Sequence, residues 1–84
     1  MKIKPKIKEF EIGDIVRIKS YEEVLSTIDG SRRAYDGIFF NPSMKIILDS
    51  YDTIKETSFY NNYKIYYLSN NTWTWSSEWL EHER

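Results

Sequence analysis

Few side chains in this sequence have the type and spacing that enzymatic chemistry requires. The single histidine, His82, lies in a charged C-terminal tail with no pocket-forming segment around it. Paired carboxylates occur at Glu22-Glu23 and at Asp49 with Asp52, but charged helix faces and turns produce such pairs routinely. We find no glycine-rich phosphate loop, no His/Asp metal cluster and no nucleophile elbow. The sequence therefore predicts a protein that is not an enzyme and that uses no cofactor and no metal.

The lysine-rich N-terminus is the first candidate for binding. Pro5 and the alternating pattern predict that residues 1–8 form an extended basic arm, whose cations are Lys2, Lys4, Lys6 and Lys8. Such an arm can follow the phosphates of a nucleic acid, and its binding would then depend strongly on salt. The alternative, which we favour, is a solvated tail or edge strand, because lysines blunt exposed strand edges.

The loop at residues 30–37 is the second candidate, and it contains Arg32, Arg33 and Tyr35 between two glycines. Arg and Tyr are enriched at the centres of protein interfaces because each combines a broad contact area with directional hydrogen bonds. A guanidinium group can also pair bidentately with a carboxylate. We therefore expect this loop to contact a protein partner, with a flexible surface insertion as the alternative.

The aromatic residues are the third candidate. Trp73, Trp75 and Trp79 are predicted to belong to the core, because a chain with few aliphatic residues needs its largest side chains inside. Strand alternation directs Tyr66 away from its neighbours Tyr63 and Tyr67, so Tyr60 and Tyr66 are predicted to be the exposed pair. They would form either a peptide groove or a platform on which bases stack.

Length and charge narrow the class of protein. The chain has 84 residues and no cysteine, so we expect one domain without disulfides, close to the size at which a single core becomes marginal. Its net charge is −1, with an excess of two positive charges in residues 1–33 and of three negative charges in the rest. This balance disfavours sequence-independent DNA binding. The absence of an apolar leader or a long apolar run predicts a cytoplasmic protein that does not bind membranes.

The apolar pattern predicts a mainly β fold. Gly13 and Asp14 suit a turn before a strand in which Val16 and Ile18 face inward. Helical segments are expected near 20–28 and 42–48, the first because Ser20 and Glu23 match a capping box and the second because Asn41-Pro42 suits a helix start. Three strands are expected at 51–57, 62–68 and 72–76. The predicted core residues are Val16, Ile18, Ile54, Ile65 and Trp75.

A set of residues along this order of elements forms a recurrent pattern: Phe10, Ile12-Gly13-Asp14, Val16, Ile18, Ser20, Phe39-Phe40, Met44, Ile54, Tyr63, Trp75 and Leu80. With these residues the chain resembles a group of small SH3-like barrels found among uncharacterised proteins of bacterial phages and prophages. The resemblance covers residues 9–81, and a looser one extends to the peptide-binding barrels of the mind-bomb ubiquitin ligase family. Asp49-Ser50 departs from the family, which commonly has a glycine before its second long strand.

The resemblance implies a small SH3-like antiparallel barrel of about five strands with two short helical insertions, formed by residues 9–84 as a single domain. It also implies a non-catalytic protein-interaction module that docks on a bacterial protein in the host cytoplasm, for example as an inhibitor of a host defence protein. The alternative is a nucleic-acid-binding barrel that uses the lysine arm and the exposed tyrosines.

Overall fold

A computed structural model describes residues 9–83 of the chain. The predicted arm at residues 1–8, with its four lysines, lies outside the described residues. The elements are, in chain order, β1 (Ile15–Ile18), α1 (Tyr21–Leu25), a 3-10 helix (Pro42–Ile47), β2 (Tyr51–Tyr60), β3 (Tyr63–Leu68), β4 (Thr74–Trp75), a second 3-10 helix (Ser77–Trp79) and β5 (Leu80–His82).

The strands form one five-stranded antiparallel sheet in the order β4-β3-β2-β1-β5. The mainly β fold predicted from the sequence is therefore confirmed. Among residues 9–83 no ladder joins β4 to β5, so the sheet does not close into a barrel. The chain passes between these two edges through the short 3-10 helix, and the rings of Trp75 and Trp79 meet edge to face there, with centroids 6.1 Å apart.

The long strand β2 changes partner along its length. Its first residues pair with β1, from Tyr51 opposite Arg17 to Thr53 opposite Ile15. A register shift between Ile54 and Glu56 marks a bulge, beyond which β2 continues to pair with β3 alone. Bulges bend a strand and increase its twist. Beyond the bulge β2 therefore has a strand on one side only, and the residues next to the turn, 58–60 with 63–65, form a two-stranded hairpin.

Each of the two helical insertions begins directly after its predicted capping residue, Ser20 for the first and Asn41 for the second. Ser20 Oγ accepts a hydrogen bond from Glu23 N at 3.3 Å, and the Glu23 carboxylate accepts one from Ser20 N at 3.0 Å, which completes the predicted capping box. The helix ends at Leu25, before the predicted end at residue 28. The hydroxyls of Ser26 and Thr27 donate to helix carbonyls, each at 2.7 Å, and such local bonds compete with the helix. The second insertion is a 3-10 helix.

Val16, Ile18, Ile54, Ile65, Trp75 and Trp79 are buried as predicted, whereas Trp73, also predicted for the core, is only partly buried. Phe40 and Trp79 pack edge to face, with ring centroids 5.4 Å apart. Each buried indole N–H has an acceptor: Trp79 Nε1 donates to Thr27 Oγ1 at 3.0 Å and Trp75 Nε1 donates to Asn71 Oδ1 at 2.9 Å. Large aromatic groups thus supply much of the buried area without leaving a polar atom unpaired on either ring.

Two turns use residues in the left-handed region of the backbone. Asp49 precedes β2 with φ of +62°, a backbone conformation that favours glycine, so the chain makes a left-handed turn at this aspartate. The β2–β3 hairpin turns at Asn61 and Asn62, with φ of +52° and +67°, as a type I′ turn requires. β2 therefore extends to Tyr60, beyond its predicted end at residue 57.

The outer face of β1 carries a cluster of ion pairs around Arg17. Its guanidinium nitrogens lie 2.8 Å from Glu23, 2.9 Å from Asp49 and 2.8 Å from Glu81. These carboxylates come from α1, from the turn before β2 and from β5. A single side chain therefore joins three segments that are distant in the sequence.

Candidate protein-binding groove

The loop at residues 30–37 is folded as part of a small hairpin. Arg33 and Phe39 form a β-bridge, Ala34 N donates to Ile38 O at 3.1 Å, and Gly37 N donates to Ala34 O at 2.9 Å. Gly37 has φ of +87°, which a residue with a side chain adopts only with strain. Glycine at this position thus closes the turn and aligns the strand-like segments on either side of it.

The tip of this small hairpin packs on the turn between β2 and β3. The rings of Tyr35 and Tyr63 meet edge to face at 4.8 Å, and Tyr35 Oη lies 3.0 Å from Ser77 Oγ. A Cβ atom on Gly37 would lie 2.9 Å from Asn61 Nδ2 and 3.1 Å from Tyr60 Cε2, so a larger residue would require these side chains to move. The alternative of a free surface insertion does not fit these contacts.

An open groove of about 290 Å³ lies beside this hairpin. Phe39 is 44% exposed and Tyr60 is 47% exposed, which gives the groove an aromatic rim. Within the described part of the chain, Arg33 is the one charged residue that lines it. We call this surface the Arg33 groove; its lining residues are Arg33, Gly37, Ile38, Phe39, Asn41, Met44, Tyr60, Trp73 and Thr74.

Arg33 is held at the groove by contacts that leave donors available. Its Nη1 donates to Gly37 O at 2.7 Å, and its guanidinium carbon lies 5.7 Å from the centre of the Phe39 ring. Among residues 9–83 it has no carboxylate partner. A guanidinium group has five N–H donors, so a positioned cation remains available to an acidic group from outside.

The neighbouring Arg32 has a different environment, although the sequence predicted the same role for both arginines. It is partly buried, with φ of +63°, and its guanidinium carbon lies 5.8 Å from the centre of the Phe40 ring. Its contact with the Tyr21 phenol, together with that of Lys45, lowers the pKa of this phenol. Arg32 therefore packs along the body of the domain and does not line the groove.

The prediction that Tyr66 is exposed is wrong. Tyr66 is buried, its hydroxyl accepts a hydrogen bond from Phe10 N at 3.1 Å, and the Phe10 ring packs against it at 5.3 Å. Burial raises the pKa of its phenol. The segment around Phe10 covers the face of β3 that Tyr66 shares with Leu68, and the buried Leu68 two residues away was the available signal.

Of the five predicted partner-binding residues, the structure brings Arg33 and Tyr60 together at the groove. Tyr35, at the tip of the small hairpin, is partly buried against Tyr63 and Ser77, and burial raises the pKa of its phenol. Sequence reasoning missed Phe39 and assigned Trp73 to the core, whereas Trp73 is partly exposed and lines the groove. The Phe39-Phe40 pair contained the signal, since consecutive residues of an extended segment point to opposite faces.

Within residues 9–83 no three His, Cys, Asp or Glu side chains come together so as to hold a metal ion. None of the helices in this part of the chain has the length and apolar character needed to cross a membrane. Comparison with protein-family models, with curated proteins and with solved structures finds no match. The resemblance to phage barrels therefore stays a prediction from the sequence.

Proposed function

We propose that this chain is a non-catalytic protein-interaction module that binds an acidic, apolar segment of a bacterial protein in the Arg33 groove. Its action would be that of the phage or prophage proteins it resembles, with inhibition of a host protein as the form that the resemblance implies. The observation that carries the proposal is a positioned guanidinium beside the exposed Phe39 ring, in a groove that the exposed Tyr60 also lines.

The chemistry of the groove favours this class of partner. Phe39, Tyr60 and Trp73 offer apolar contact, and rigid aromatic groups lose little conformational entropy when they are covered. Arg33 can add a bidentate contact to a carboxylate, which is worth more once the aromatic rings exclude water around it. A segment that carries a carboxylate next to an apolar side chain would satisfy both features together.

The nucleic-acid alternative has less support. A stacking platform was expected to use Tyr60 and Tyr66 together, and the buried Tyr66 cannot stack on a base. The lysines of the arm lie outside the described residues, and the net charge of the chain is −1. We therefore treat nucleic acid as an outcome to be tested.

The proposal is tested by capturing partners from a bacterial lysate and measuring binding of each purified partner by titration calorimetry. We expect the double variant Arg33→Ala/Tyr60→Ala to weaken binding by about thirtyfold or more, because interface centres are dominated by a few such residues. The matched control is Lys55→Ala/Tyr51→Ala, which removes an exposed cation and an exposed tyrosine of β2 outside the groove.

Equal losses in the two double variants would refute the groove as the binding surface. Gel shifts with single-stranded and duplex nucleic acid, run at several salt concentrations, test the alternative. Strongly salt-dependent binding that is lost on deletion of residues 1–8 and unaffected by Arg33→Ala would favour nucleic acid.

A further inference from the structure

The second half of β2 has one hydrogen-bonded side and one open side. Because a two-residue type I′ turn joins β2 to β3, Tyr60 and Tyr63 form a pair that exchanges backbone hydrogen bonds. In an antiparallel ladder such pairs alternate, so Ser58 and Glu56 also direct their backbone groups toward β3. The N–H and C=O groups of Thr57 and Phe59 therefore point away from β3. In the described part of the chain, pairing with β1 stops at Ile54, so these groups have no strand partner.

The same stretch carries an exposed aromatic side chain. Phe59 is 71% exposed, more than Tyr51 at the other end of the strand, which is 59% exposed beside β1. Proteins usually protect open strand edges with charges, proline or a covering segment. We call residues 56–60 the open β2 edge; it combines unpaired backbone groups with a large apolar side chain.

We propose that the open β2 edge binds the same edge of a second copy of this chain, in an antiparallel dimer with two-fold symmetry. Antiparallel pairing about Ser58 places Thr57 opposite Phe59 of the second copy, and Phe59 opposite the second Thr57. Each such pair exchanges two backbone hydrogen bonds, which gives about four across the dimer. Pairing about Thr57 would instead involve the bulge at residue 55, and pairing about Phe59 would involve the turn at residue 61.

The side chains and the length of the open β2 edge both fit this register. Each Phe59 ring lies opposite a β-branched threonine, which is a favourable cross-strand pair. On the other face Glu56 lies opposite Tyr60 and Ser58 opposite its symmetry mate, so no like charges are opposed. In this register residue 61, in the hairpin turn of one copy, lies opposite residue 55 of the other copy, just beyond the point where pairing with β1 stops. The open β2 edge is therefore long enough for the pairing. An isologous interface of this kind closes on itself.

The test measures the mass of the full chain in solution by sedimentation velocity over a range of concentrations. We expect a concentration-dependent dimer that Phe59→Ser weakens at least tenfold, while the matched control Tyr51→Ser leaves dimerisation unchanged. Thr57→Pro should also dissociate the dimer, because proline removes an N–H that points away from β3 and is tolerated at such edge positions.

Hydrogen exchange of the Thr57 and Phe59 amides distinguishes the possible occupants. Protection that grows with protein concentration supports the dimer. A chain that remains monomeric at every concentration overturns it, and so does equal weakening by Phe59→Ser and Tyr51→Ser. Protection at low concentration that disappears on deletion of residues 1–8 would assign the edge to the chain's own N-terminal segment and would also overturn the dimer.

Discussion

Replacing Arg17 with methionine isolates the electrostatic contribution of the cluster on β1. Methionine keeps an unbranched apolar side chain on the strand but removes the three contacts to Glu23, Asp49 and Glu81. Partly exposed ion pairs each contribute ~0.2–1 kcal/mol after solvent screening, so for three pairs we expect a loss of about 0.6–3 kcal/mol at pH 7. The loss is a large share of the stability of a small domain, typically ~5–15 kcal/mol.

The dependence of this loss on pH follows from the carboxylates. Hydrogen bonding to Arg17, and then to Ser20, lowers the pKa of Glu23 from 4.5 to about 2, and hydrogen bonding to Arg17 lowers the pKa of Glu81. A carboxylate whose pKa is lower in the folded state stabilises the fold above its unfolded pKa, and this contribution is lost as the pH falls through the folded value. The difference between the parent and Arg17→Met should therefore be full above about pH 4.5 and small near pH 2.

Urea unfolding at pH 7, 4.5, 3 and 2.5 measures the difference. Arg17→Lys is the control, because it keeps the charge but removes the planar fork that reaches several carboxylates, so we expect an intermediate loss. Added salt should reduce the difference at pH 7. A difference that stays constant over this pH range would refute the electrostatic explanation and attribute the loss to packing of the side chain.

Three further substitutions test the fold. Trp75→Ala should destabilise the domain by about 3–5 kcal/mol, or prevent folding, because it empties a fully buried site; an unchanged melting temperature with lost partner binding would contradict the core assignment. Tyr66→Phe should cost about 1–3 kcal/mol in urea unfolding, because Phe10 N loses its buried acceptor, whereas Tyr60→Phe should change stability by less than about 0.5 kcal/mol; equal effects would contradict the burial of Tyr66. The Asp49→Ala variant should unfold with a free energy about 1–2 kcal/mol lower than that of Asp49→Gly, because both lose the Arg17 contact but only alanine is strained in the left-handed conformation. Equal free energies of unfolding would show that the backbone is not strained at this position.

The local elements could be predicted because their signals are short in range. The capping box of Ser20 and Glu23 involves residues three apart, and the burial of Val16 and Ile18 follows from alternation within one strand. Each of these features is decided by residues close together in the chain.

The tertiary environment could not be predicted in the same way. Tyr66 is buried because Phe10, distant in the sequence, lies across β3 and donates to its hydroxyl. Arg17 reads as an outward-facing strand residue, and its alternating position says nothing of the three segments whose carboxylates surround it. Alternation tells which residues share a face of a strand, but not what covers that face. The missing information is the path of the connecting segments.

The two adjacent arginines, Arg32 and Arg33, show that the path of the connecting segment decides which residue lines the candidate site. Arg32 adopts a left-handed backbone conformation and packs by Phe40, whereas Arg33 is in the β-bridge to Phe39 and lines the groove. Packing of the small hairpin on the β2–β3 turn, where Gly37 lies against the side chains of Asn61 and Tyr60, places Tyr60 at the same groove. A substitution at Gly37 should therefore weaken binding through geometry, because this turn carries both the carbonyl that accepts from Arg33 Nη1 and the contact with Tyr60; calorimetry with a purified partner measures the loss.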